Sequence, residues 1–248
     1  MTVGELMREL RNEDELQAPA ALGPNGMRGM RNWALGLLGT VVMVTVSYFW
    51  LDQPVARFAH AQLQGIDLFG KLTLIPDALG LVVLVVLAAV ALRGLIGRPR
   101  AKLLTVILVS GASLAVAVIV KDQLKLAFGR TWPETWIRNN PSFIRDGVYG
   151  FFPFHGGPGY ASFPSGHTTT ICTVMTVLWL CYPRWRPLYA LAMAAVAIGL
   201  VGADFHFLGD VIAGGFLGIT AGWLGVTLWE AGVHRVRPDA DASEKPIP

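Results

Sequence analysis

The run Leu103–Val120, LLTVILVSGASLAVAVIV, decides the fold class of this chain. It carries no charged residue and approaches the roughly 20 apolar residues that a bilayer crossing requires. Composition alone would also fit one very apolar globular domain: 53% of the 248 residues are hydrophobic and 15% are charged, whereas ordinary soluble chains carry about 25% charge. The length of the run favours a membrane protein over that globular alternative.

We predict an all-α polytopic membrane protein with six transmembrane helices, because five further apolar runs flank the first. The polar stretch 52–77 is expected to hold a short interfacial helix. The polar residues 1–32 lack an apolar core, so we expect no cleavable signal peptide. A cytoplasmic arm of 1–32 and a cytoplasmic tail of 231–248 flank the membrane domain of 33–230. The predicted spans are 33–51, 78–96, 103–120, 166–182, 188–203 and 210–229.

The distribution of positive charge predicts the orientation. Six spans place both termini on one side, and that side carries 13 of the 20 Lys and Arg residues. The positive-inside rule therefore predicts cytoplasmic termini. The loops 52–77, 121–165 and 204–209 then share the outer face. Most of the outer Lys and Arg residues lie in the 121–165 loop, and a cluster that opposes the rule indicates function more than topology.

The segment Phe163-Pro-Ser-Gly-His167, which opens the fourth span, has the features of an anion site. Ser165 can cap the helix, Gly166 lets a ligand approach the backbone, and free N–H groups at a helix start favour phosphate. His167 beside that phosphate can act as an acid or a base near neutral pH. The alternative is a capped helix with an interfacial histidine, and this segment alone leaves both open.

The segment Asp204–Asp210, which opens the sixth span, contains His206 four residues before Asp210. Residues i and i+4 are neighbours on a helical face, and a carboxylate behind an imidazole fixes its tautomer and stabilises its charged form. Such pairs are also common as structural hydrogen bonds. Ionisable residues at a membrane edge are costly, however, and this favours a functional role.

Pro164-Ser-Gly-His167 followed by His206-x-x-x-Asp210 resembles the type 2 phosphatidic acid phosphatase superfamily over roughly residues 33–230. The resemblance implies that His206 attacks phosphorus and forms a phosphohistidine. Asp210 would orient and polarise His206, and His167 would protonate the leaving oxygen. The family uses no metal, and we expect no other cofactor.

The resemblance also predicts the substrate and the location. It implies a lipid phosphate or lipid pyrophosphate that keeps its tail in the bilayer, and a protein of the bacterial inner membrane. The phosphate would contact Lys125, Arg130, Ser165 and Gly166. We expect no nucleic-acid partner, and the oligomeric state stays open. Two alternatives remain: a lipid phosphotransferase, and a non-catalytic protein that binds or transports lipid phosphates.

The sequence departs from the family pattern at two cationic positions. The first family motif is a Lys, six residues, then Arg-Pro, whereas here Trp132 stands in place of that Arg. An Arg near the start of the third motif is replaced by Leu200. This loss matters because phosphoryl transfer depends on electrostatic stabilisation of the phosphoryl oxygens.

Three explanations of these departures stay open. Arg130, helped by Arg138 or Lys121, reaches the phosphate from a displaced position; or the substrate is a less charged phosphodiester; or the chain is a non-catalytic relative. Retention of the complete His-His-Asp set argues against the last. Further candidates for headgroup binding or a lid are His155, Asp204 and Arg138.

Overall fold

The structure, a computed structural model, describes residues 26–96, 101–136 and 139–236. Apart from isolated β-bridges, regular structure in these residues is helical. A π-helical turn, Ser47–Leu51, joins the first two helices. The helices are α1 (Gly26–Val46), α2 (Asp52–Gln62), α3 (Asp67–Thr73), α4 (Ile75–Ile96), α5 (Ala101–Phe128), α6 (Phe143–Asp146), α7 (Gly166–Cys181), α8 (Arg186–Gly202) and α9 (Leu208–Val236).

Four helical stretches among the described residues are long and apolar enough to cross a membrane: Gly29–Gln62, Leu103–Phe128, Pro183–Gly202 and Leu208–Gly232. The helix α7 is apolar but shorter, with 16 residues. The second predicted span falls in α4. The all-α membrane class is therefore confirmed, whereas the count of six spans and the sidedness of the loops stay predictions.

Several helices extend beyond the predicted spans. The stretch 52–77 is helical almost throughout, as α2, α3 and the start of α4, rather than holding one short helix. The helix that contains the third predicted span, α5, continues beyond Lys121 to Phe128 and ends before Gly129, whose φ is +59°. No proline interrupts this part of the chain, so the backbone can remain helical through charged side chains. The terminal arms fall largely outside the described residues.

The packing of α9 on α7 positions the predicted site. Glycines spaced four residues apart on α9 face backbone carbonyls that are also four residues apart at the start of α7. A Cβ atom built on Gly214 would lie 2.4 Å from the Ser165 carbonyl oxygen, and one on Gly218 would lie 2.5 Å from that of Thr169. The Ser165 N–H also donates to the Asp210 carbonyl at 3.0 Å. Close helix packing through small residues therefore brings the starts of α7 and α9 together.

Adjacent glycines on α9 offer a matched test of this close packing. Gly214→Ala should lower the free energy of unfolding by about 1–3 kcal/mol, because a methyl group there overlaps the α7 backbone. Gly215→Ala should be neutral or stabilising, since its Cβ would lie 3.6 Å from Thr168 Cγ2 and alanine favours a helix. Denaturant titration in detergent micelles measures both variants, and equal effects would contradict the close approach.

Candidate active site

A cavity of about 450 Å³ lies between α4, α5, α7 and the segments that precede α6 and α9. The aromatic side chains of Trp132, Trp136 and Phe205 form one part of its wall. Polar and charged residues form the other, so the cavity suits a ligand with both an anionic and an apolar part. The polar lining residues are Asp77, Lys121, Lys125, His167, Thr170 and His206.

His206 and Asp210 meet at the edge of this cavity. His206 Nδ1 lies 3.4 Å from Asp210 Oδ2, and both side chains are almost completely buried. Because Nδ1 faces the carboxylate, Nε2 is the ring nitrogen left for another partner. Burial lowers the pKa of His206 to about 4, although Asp210 opposes this shift. The imidazole is therefore neutral at pH 7 and has an unprotonated nitrogen.

Asp210 is held by several donors. Ser162 Oγ donates to Asp210 Oδ2 at 2.6 Å, and the Phe207 N–H donates to the same oxygen at 3.1 Å. Arg130 Nη1 donates to Asp210 Oδ1 at 2.6 Å. A buried carboxylate needs such partners to remain ionised, and together they fix its orientation toward His206.

Arg130 lies behind Asp210 and not in the cavity. Its side chain is completely buried, and its guanidinium also donates to Asp52 Oδ2 and to Tyr149 Oη. Rings of Tyr48, Tyr149, Phe151 and Phe207 surround its Cζ at 4.5–5.5 Å. The structure therefore does not bring Arg130, a predicted phosphate contact, to the cavity, because two carboxylates hold its charge outside it. Those carboxylates raise the pKa of Arg130 against the effect of burial.

The start of α7 places two of its three predicted residues in the cavity. Gly166 and His167 line it. Ser165 does not: it is fully buried, and its Oγ accepts from the N–H and the hydroxyl of Thr168 at 3.4 and 3.1 Å. Ser165 therefore caps the helix as predicted, but its side chain has no access to a phosphate.

His167 faces both the second histidine and a carboxylate. The ring centroids of His167 and His206 are 6.5 Å apart. His167 Nε2 lies 3.6 Å from Oδ1 of Asp77, at the start of α4. Sequence reasoning missed Asp77, although an acid just before an apolar run was a signal for it.

Lys125 lines the cavity, and its contact with a phosphate stays a prediction. Its Nζ donates to the Ala161 carbonyl and lies 5.5 Å from the centroid of the Trp132 ring. Trp132, which replaces the motif arginine, lies with its ring centroid 5.0 Å from that of His206, and its Nε1 donates to the Pro158 carbonyl at 2.8 Å. Leu200 is fully buried in the apolar core. Trp132 and Leu200 are both uncharged, so neither position supplies the cation of the family motif.

The three candidates for a headgroup or lid role have different outcomes. Asp204 is 3% exposed and does not line the cavity, and its role in headgroup binding stays a prediction. Its carboxylate lies 3.4 Å from His60 Nδ1, which is also 3.2 Å from Glu134. His155 is exposed and stacks on Tyr160 at 3.7 Å, outside the cavity lining, and its role stays a prediction. Arg138 lies outside the described residues.

Stability should depend on the ionisation of Asp204. Burial, with a contribution from Glu134, raises the pKa of Asp204 to about 6 against the opposing effect of His60. An acid whose pKa rises on folding contributes stability below its unfolded value, here 3.8, and this contribution is lost as the pH rises through about 6.

Asp204→Asn should remove this dependence. The variant should gain stability relative to the parent as the pH rises from 4 to 7, measured by thermal unfolding in detergent. The exposed Asp67→Asn is the control and should follow the parent. Parallel curves for Asp204→Asn and the parent would contradict the buried ionisation.

Comparison with known proteins agrees with the architecture described above, a helical membrane protein with a paired His and Asp beside a cavity that contains two lysines. The model of the PAP2 superfamily matches residues 103–245, more than half of the chain. The chain therefore belongs to the PAP2 superfamily, and the resemblance inferred from the motifs is confirmed.

Two relatives are lipid A 1-phosphatases. The protein from Rhizobium etli is 32% identical over 108 residues, which cover 42% of this chain and 44% of the relative. The protein from Rhizobium johnstonii is 32% identical over 96 residues, which cover 39% of this chain and 36% of the relative. Each match thus spans less than half the length of the relative.

A solved structure shares the fold. It is the PAP2-type phosphatidylglycerolphosphate phosphatase of Bacillus subtilis, with a TM-score of 0.52 and 17% sequence identity. The likeness covers 80% of this chain and 96% of that chain. At this identity it supports the helical fold and not a substrate.

Proposed function

We propose that this protein is an integral membrane phosphatase that hydrolyses a lipid phosphate or lipid pyrophosphate through a phosphohistidine on His206. The observation that carries the proposal is the buried pair of His206 and Asp210 at the edge of a cavity that also contains His167 and Lys125. A covalent phosphoryl transfer requires a neutral histidine as the nucleophile and a carboxylate that orients it. It also requires a second histidine for proton transfer and a cation for the phosphate oxygens.

The first step is attack of His206 Nε2 on phosphorus. The N–P bond forms as the bond from phosphorus to the leaving oxygen breaks, and His167 gives its proton to that oxygen. The imidazole of His206 becomes positively charged through Nδ1–H, and Asp210 stabilises this charge. Arg130 and Ser162 act on Asp210 rather than on the substrate, because both donate to its carboxylate.

Water completes the reaction in a second step. His167, now neutral, accepts a proton from a water molecule whose oxygen attacks phosphorus, and the N–P bond breaks. Phosphate leaves, and both histidines return to their starting states. The Gly166 backbone at the start of α7 and Lys125 hold the phosphate oxygens during both steps.

A lipid substrate agrees with the residues that line the cavity and with the names of the relatives. The aromatic wall of Trp132, Trp136 and Phe205 adjoins the charged groups, so one molecule can place an apolar part and a phosphate in the same cavity. The names of the relatives describe phosphatases of lipid A and of phosphatidylglycerolphosphate. In this proposal six spans place the cavity at the outer face of the inner membrane, with both termini in the cytoplasm.

Phosphate release tests the proposal. The full-length protein, purified in detergent, is incubated with lipid A, phosphatidylglycerolphosphate or phosphatidic acid, and free phosphate is measured. We expect release from at least one of these lipids and no release by Asp210→Ala. Transfer of the phosphoryl group to an added lipid or sugar hydroxyl, without free phosphate, would instead establish the phosphotransferase. Binding without turnover of any of them would contradict both reactions.

A further inference from the structure

Lys121 lines the cavity, but the steps proposed above assign it no role. It lies one helical turn before Lys125 on α5, so both side chains project from the same face of the helix. Its side chain is 18% exposed. A lysine so largely covered beside a cavity differs from a solvated surface lysine, which usually keeps its ammonium group in water.

The side chain of Lys121 lies against the start of α7. A Cβ atom built on Gly166 would lie 3.3 Å from Lys121 Cδ and 3.7 Å from Lys121 Nζ. The absence of a side chain at Gly166 therefore leaves room for the lysine. Its ammonium group lies near the start of α7, and the first backbone N–H groups of an α-helix have no partner within the helix.

Lys121 brings a further positive charge to the side of the cavity formed by α5 and the start of α7. The start of a helix carries partial positive charge, and a second ammonium group, that of Lys125, shares the cavity. Lys121 Nζ has an ion pair with Asp122 Oδ1 at 2.7 Å, but Asp122 is 55% exposed and its attraction is screened by water. A phosphate between Lys121, Lys125 and the α7 start would neutralise all three.

From these contacts we infer that Lys121 is a phosphate-binding residue that supplies the positive charge missing at Trp132 and Leu200. This inference rests on the proposed function for the identity of the anion. Arg130, the other candidate, is held by Asp52 and Asp210. Lys121 thus approaches the phosphate from α5, one turn before Lys125, the lysine of the family motif.

Binding of inorganic phosphate tests the inference separately from turnover. Isothermal titration calorimetry of the full-length protein in detergent gives the dissociation constant for Lys121→Met, Lys121→Arg and Lys71→Met. Lys71 is exposed on α3, outside the cavity lining, and serves as the matched control. Lys121→Met should weaken phosphate binding by about tenfold or more, since a charge-assisted hydrogen bond is lost. Lys121→Arg should remain within about threefold of the parent, and Lys71→Met should be unchanged.

The outcomes separate the two proposals. If Lys121→Met binds phosphate as tightly as the parent, the proposed role of Lys121 is overturned, while the proposed phosphatase activity is unaffected. Equal weakening in Lys121→Met and Lys121→Arg would also overturn it, because charge would not be the cause. Lysine-dependent binding in a protein that releases no phosphate from the lipids would support the anion site and refute the phosphatase.

Discussion

Replacing His206 with alanine should reduce phosphate release by on the order of 10⁴-fold or more, the largest effect expected of any substitution in this protein. The variant removes the nitrogen that attacks phosphorus, and no other described histidine is within hydrogen-bond reach of Asp210. His167, with its ring centroid 6.5 Å from that of His206, lacks this carboxylate partner. Release is measured with the lipid on which the parent is most active.

The controls distinguish loss of the nucleophile from loss of the fold. His206→Ala should keep the elution volume and helical circular dichroism of the parent in detergent. The activity of Asp210→Asn should lie between that of the parent and that of His206→Ala, because the nucleophile remains while its orientation is impaired. Activity of His206→Ala above about one per cent of the parent would sink the assignment of the nucleophile.

Arg130→Met should cause the largest loss of stability, about 3–5 kcal/mol. The substitution leaves Asp52 and Asp210 buried without their shared cation, and unpaired buried charges are far more costly than an absent ion pair. Activity should fall as well, because Asp210 loses a donor that fixes its position. Denaturant titration in detergent measures the free energy of unfolding. Arg184→Met is the matched control at an exposed arginine and should change it by less than about 0.5 kcal/mol.

A second substitution tests the cause of this effect. Asp52→Asn in the background of Arg130→Met removes one of the two unpaired charges. The double variant should therefore be more stable than Arg130→Met alone, a non-additive result expected for groups in one network. A double variant less stable than the single one would show that packing of Arg130 among its aromatic neighbours, and not its charge, dominates.

The membrane class and the central groups of the site followed from short-range features of the sequence. Apolar runs predicted spanning helices. The spacing of His206 and Asp210 predicted their contact, although His206 lies before the start of α9 and not on its face. The helix start at Gly166 was predicted from its capping residue. Each of these depends on residues close together in the chain, where spacing determines geometry.

The partners of Arg130 were not predictable in this way. Asp52 and Asp210 lie 78 and 80 positions from it in the chain, so tertiary packing alone brings them together. The hydrogen bond from Ser162 to Asp210 also depends on tertiary packing, and no pattern in the sequence predicted it. For Lys121 and Lys125, the charge at Lys121 was taken as the end of the apolar pattern, whereas the helix α5 continues to Phe128. That extension places both lysines on one helical face beside the cavity.

The most direct test of the proposed mechanism is capture of the phosphoenzyme. A lipid carrying ³²P in its phosphate is mixed with excess protein, the reaction is quenched in alkali, and the labelled peptide is identified by mass spectrometry. The mechanism predicts an alkali-stable, acid-labile label on His206 that is absent from His206→Ala and accumulates before free phosphate appears. Label on His167 or on a serine, or phosphate release at the parent rate without any labelled intermediate, would contradict it.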